Sequence, residues 1–153
     1  MSQALFLSYA LHQLATIVWV GGMFFAHMAL RPVVSSVLEP PLRLPLMLGV
    51  LRRFFPWVWL SIALLWGTGL WIFLGGMGGK AGGQVHLMMA IALVMTVLFV
   101  YLWFVPFRHL KAAVASTDWP AAGARLARIR QIILTNLILG LITAVAGAAG
   151  RFL

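Results

Sequence analysis

Residues 86–106 read HLMMAIALVMTVLFVYLWFVP, with no Asp, Glu, Lys or Arg, and the uncharged run around them extends from Ala81 to Phe107. At about 1.5 Å per residue, a helix of that length covers about 30 Å, the thickness of a bilayer's hydrocarbon core. The same reading applies on either side. Residues 1–30, 54–79 and 131–150 also lack charged side chains. Four spans are therefore predicted, over about 5–30, 54–75, 86–106 and 130–150, in one membrane domain covering residues 1–153. The runs are continuous rather than alternating, which excludes a closed β-barrel. The predicted fold is all-α, an integral membrane four-helix bundle.

Composition supports this class. The chain is 63% hydrophobic and 8% charged, too little polar surface for a soluble domain. Cysteine is absent, which removes disulfides, thiolate metal sites and cysteine nucleophiles. Glu39 and Asp118 are the only acidic residues, so mechanisms built on paired intramembrane carboxylates have no groups to use. The net charge of +9 fits basic loops against anionic lipid rather than nucleic acid, because the cations sit beside the spans. No P-loop, H-E-x-x-H or G-x-S-x-G motif is present.

Charge asymmetry gives an expected orientation. Arg31, Arg43, Arg52 and Arg53 lie between spans one and two, and Arg108, Lys111, Arg125, Arg128 and Arg130 between three and four or at the start of four. Lys80 and Arg151 are the only basic residues in the opposite set. The excess of Lys and Arg places loops 31–53 and 107–129 in the cytoplasm and both termini outside, N-out/C-out. Pro32 and Pro106 are expected to close spans one and three. Asp118 is the expected N-cap of the last helix, with Pro120 just inside it. Residues 39–53 read as a short amphipathic surface helix, and tryptophans such as Trp57, Trp59 and Trp119 as interfacial anchors. Asn136, Gly140, Ala144 and Ala148 recur four apart, and with Gly21, Gly22, Gly67 and Gly69 they read as close helix contacts.

The chemistry rests on histidine and methionine. His12 and His86 fall near the outer ends of spans one and three, where one cofactor could bridge facing helices. His12, Ala15, Thr16, Trp19 and Met23 share a face of span one. His27 and His109 form a weaker inner pair, and there His109 falls outside the span. Imidazole binds haem iron and copper. A haem between His12 and His86 would lie against Trp19, with Lys80 the obvious cation for its propionates. Alternatively Met88 and Met89, close after His86, supply thioethers that with imidazole select Cu(I).

Leu11-His12-Gln13-Leu14 through Val18-Trp19-Val20-Gly21-Gly22-Met23-Phe24-Phe25, with the later run Asn136-Leu137-Ile138-Leu139-Gly140, resembles the CopD copper-resistance membrane family. The H-x6-W-x-G-G pattern is also similar to the HemJ-type haem-binding membrane proteins, which act as protoporphyrinogen oxidases. That likeness implies a haem ligand at His12. The lysine that follows the span-three histidine in HemJ is absent from His86-Leu87-Met88, so porphyrinogen oxidation is not expected. The CopD likeness implies copper uptake or tolerance at a bacterial inner (plasma) membrane, with a periplasmic copper-binding partner.

Three functions follow. The first is b-type haem ligated by His12 and His86 in a redox or electron-transfer role. The second is copper homeostasis, with Cu(I) held by His12, His86, Met88 and Met89. The third is a cofactor-free membrane assembly subunit. Expected partners are the lipid bilayer, a redox partner or periplasmic copper-binding protein, and a second copy of the chain. Nucleic acid is not among them.

Overall fold

A computed structural model describes residues 3–80 and 82–149. Arg151, the basic residue assigned to the tail, lies outside them. The described residues form four helices long and apolar enough to cross a membrane: α1 (Gln3–Val37), α2 (Pro40–Gly76), α3 (Gly83–Ala115) and α4 (Trp119–Ala149). No strand occurs among them. Side-chain neighbours fix an up-down-up-down order. Leu5 on α1 meets Gly76 on α2, and Met88 on α3 meets Gly147 on α4. One end of the bundle therefore carries the glycine-rich α2–α3 turn, and the other carries most of the arginines.

The outward faces are apolar. The most apolar window of α3 has a mean hydropathy of 2.5, yet only 17% of it is buried inside the protein. A helix apolar all round, with so little protein around it, is built to face lipid. The inward faces meet in an aromatic core. Phe55 on α2 contacts Phe99 at 5.3 Å and Phe107 at 4.8 Å between ring centroids. Trp59 lies 5.2 Å from Phe99 and 6.1 Å from Trp103. Trp59, expected as an interfacial anchor, instead supplies ring edges to this core.

Proline behaves differently at its two predicted stops. At Pro106 the chain does leave the helix, with Val105 at φ −113° and ψ −82°. A new segment then starts at Pro106, where the missing N–H costs nothing. Pro32 does not end α1, which continues to Val37. The π-helical turn Ala26–Leu30 precedes it, and the Arg31 N–H reaches back to the Ala26 carbonyl. That widened turn relieves the clash a proline ring makes with the preceding turn. Residues 39–53, read from sequence as a separate surface helix, instead lead into α2: its opening turns start at Pro40, and the helix passes through Pro45 and Pro56 without a break. Asp118 caps α4 as expected, its carboxylate accepting the Ala121 N–H at 3.1 Å.

Glycines set the close approaches. A Cβ on Gly22 would enter the Phe54 ring, and one on Gly140 would lie 2.8 Å from Val20. Gly21 and Gly67, read as equivalent contacts, face open space. Gly78 and Gly79 take left-handed φ of +58° and +72° in the α2–α3 turn, which glycine adopts without steric cost.

Candidate functional site: a histidine and methionine cavity

At the glycine-turn end the four helices splay around a cavity of about 800 Å³. Its lining is mostly apolar and carries no Asp, Glu, Lys or Arg. His12 lines it from α1, and Met88, Met89 and Met95 from α3. Met77 enters from the turn, and Gly140, Ala144 and Gly147 form the α4 wall. The small residues of α4 thus serve two purposes. Gly140 admits Val20 and Met95, and its neighbours toward the C-terminus leave the cavity open.

His12 is held in one orientation. Its Nδ1 lies 2.8 Å from the Thr68 Oγ1 on α2. The Thr68 hydroxyl hydrogen is already committed to the Leu64 carbonyl, at 2.5 Å. The threonine oxygen must therefore accept, and His12 donates from Nδ1–H. This fixes the tautomer and leaves Nε2 with its lone pair. A histidine whose second nitrogen donates to a neighbouring oxygen is oriented as metal-bound histidines are. Gly69 completes the seat, since a Cβ there would lie 3.4 Å from His12 Cε1.

The other predicted residues fall in different places. Trp19 lines the cavity, 3% exposed and edge-on to Phe99. His86 does not line it. Its ring is exposed, edge-on to Phe73 at 5.8 Å, and its Nδ1 donates to the Gly82 carbonyl of its own first turn at 3.2 Å. Lys80 is exposed in the turn and also lies off the cavity. His27 lines a second, smaller cavity at the arginine end, and His109 is exposed on the segment after Pro106. The structure thus brings His12, Trp19, Met88 and Met89 to one cavity and leaves His86, Lys80, His27 and His109 outside it. Among the described residues no group of three or more His, Asp or Glu gathers at one point.

Sequence reasoning did not single out Thr68. A threonine bonding back to the carbonyl four residues earlier is common in membrane helices, so nothing local marks it. The signal lies in the pairing across helices, which the sequence does not show. Asn136 was noted as a polar group needing a partner. Its amide donates to the Met95 carbonyl at 3.1 Å, and its own oxygen is buried without a partner among the described residues.

The described residues thus form a four-helix bundle of membrane-spanning length whose larger cavity is lined by His12 and several methionines. The comparison with known families is more specific. The family model described as Copper resistance protein D matches residues 48–149, and the chain belongs to the CopD family, as a copper-resistance-related membrane protein. The match runs from α2 to the end of α4, and the H-x6-W-x-G-G stretch of α1 precedes it. No curated protein and no solved structure matches the chain, and nothing found supports the likeness to HemJ.

Proposed function

We propose that the protein binds Cu(I) as cargo in the cavity at the glycine-turn end, through His12 Nε2 and the thioethers of Met88 and Met89. The observation that carries this reading is the Thr68–His12 hydrogen bond, which engages Nδ1 and so keeps the lone pair on Nε2, in a residue that lines a cavity also lined by methionine. Family membership supplies the metal. Donor chemistry agrees, because imidazole and thioether without carboxylate favour Cu(I) over Zn(II) or hard cations. The excess of arginine at the opposite end supports a cytoplasmic assignment for that end, so the copper cavity faces outward, where a periplasmic copper-binding protein can meet it. Between the ends stand Phe55, Phe99 and Phe107, each 2% exposed or less. A core packed this closely favours holding and handing over the ion at one face, not conduction along the bundle axis. A haem bridging His12 and His86 has less support, since the two rings do not face one cavity.

The test is a Cu(I) titration of the full chain in detergent against a competing Cu(I) chelator, beside an oxidised-minus-reduced absorption spectrum. One Cu(I) per chain is expected, with affinity falling in His12→Ala and in the double variant Met88→Leu, Met89→Leu. A Soret band with stoichiometric iron, lost in His12→Ala, would replace copper with haem. No bound species of either kind would leave a cofactor-free assembly subunit.

A further inference from the structure

The arginine end holds a second cavity, of about 300 Å³, between α1, α2 and α4. Arg31, Arg43, Arg130 and His27 line it, all half-buried. Arg31 is within electrostatic reach of both Arg43 and Arg130, and His27 of Arg31 and Arg130. No carboxylate faces them. Asp118 caps α4, and Glu39, in the α1–α2 turn, does not line the cavity. Three guanidiniums held together between helices repel one another, and among the described residues no acidic side chain lines the cavity to compensate them. Guanidinium forks match phosphate oxygens in shape and charge.

We propose that this cavity binds the phosphate of an anionic phospholipid. Two features favour a lipid over a free anion. The inner wall is apolar, with Leu51 and Phe54 beneath the arginines, so it suits a molecule whose phosphate joins an acyl chain. The depth is also right. Arg31 precedes the end of α1 at Val37 by about 9 Å of helical rise, and α1 at 35 residues is longer than the hydrocarbon core requires. The arginines thus stand at headgroup level, where basic pockets between membrane helices hold lipid phosphates.

The experiment follows thermal unfolding of the full chain in neutral detergent while phosphatidylglycerol, phosphatidylcholine or inorganic phosphate is added. The variants are Arg31→Gln with Arg130→Gln, and, as a control off the cavity, Arg52→Gln with Arg53→Gln. Phosphatidylglycerol is expected to raise the melting temperature of the wild type and the control, and phosphatidylcholine is not. Its half-saturating concentration should rise at least about tenfold in the cavity variant, the effect of losing one charge-assisted hydrogen bond. Without lipid, the cavity variant should melt at or above the wild type, because repulsion has been removed. A lower melting temperature there would show that the arginines brace the bundle and would overturn the proposal. Equal shifts in both variants, or no shift in any, would overturn it as well. An equal response to inorganic phosphate would overturn the lipid assignment in favour of a free anion.

Discussion

The two ends of the bundle are built from the same helices and carry opposite chemistry. The glycine-turn end encloses about 800 Å³ with no charged lining residue, and the arginine end about 300 Å³ under three guanidiniums. Between them lies the aromatic core of Phe55, Phe99 and Phe107. A neutral wall with lone-pair donors suits a soft cation that sheds its water, and a cationic wall excludes one. On the two proposals, the contrast teaches that this small chain would separate metal handling from lipid binding by position. No residue need serve both.

The sharpest way to break the comparison is His12→Ala. If the neutral cavity is the copper site, this substitution removes the only imidazole that lines it among the described residues. Cu(I) affinity should then fall by at least the upper end of the about 10–100-fold that loss of an outer-shell partner costs. Lipid-dependent melting should be untouched. Loss of both together would show that the ends are coupled, and no loss of affinity would place copper elsewhere.

Thr68→Val comes next. Valine keeps the shape and removes the oxygen that accepts from His12 Nδ1. The ring is then free to choose either tautomer and to rotate. About a 10-fold or greater loss of Cu(I) affinity is expected, within the range for an outer-shell partner, with the melting temperature little changed. An affinity equal to wild type would mean that packing against Gly69 alone orients the ring.

The arginine end offers a stability test in adjacent residues. A Cβ on Gly22 would enter the Phe54 ring, and one on Gly21 meets nothing within 4 Å. Gly22→Ala should cost about 1–3 kcal/mol through overpacking. Gly21→Ala should be neutral or stabilising by up to about 1 kcal/mol from helix propensity. Denaturant or detergent unfolding of the two variants checks this, and equal effects would show that Phe54 can move aside freely.

The fold was legible because lipid imposes a simple rule. Charges cannot sit in long apolar runs, so Arg31, Arg53, Lys80 and Arg108 mark the ends of the uncharged stretches. The helix ends were less legible. Sequence treats Pro32 as a stop because the π turn that accommodates it depends on the register of earlier carbonyls. The site was partly legible. His12, Trp19, Met88 and Met89 share the cavity, but the depth of His86 in the sequence does not reveal which way its ring faces. Rotation of a helix about its axis is set by packing, and α3 is apolar on every side, so its pattern gives no face. The arginine cavity went unread for a different reason. Arg31, Arg43 and Arg130 are far apart in sequence, and only the meeting of three helices joins them.

His86→Ala is the smallest expected effect and bears most directly on which pair forms the site. His86 is exposed, off the cavity, and bonded to its own first turn. Removing it deletes one exposed side chain–backbone hydrogen bond and an edge contact with Phe73. That should change stability by less than about 1 kcal/mol and leave Cu(I) affinity within about twofold, well under half of the 1.4 kcal/mol that a tenfold change represents. The measurement is the same chelator competition used for His12→Ala, run in parallel. If instead both substitutions abolish binding, then α3 must turn His86 inward when the ligand enters. The two histidines would then act as a bridging pair between α1 and α3, and the resting arrangement of α3 would be the open form of the site.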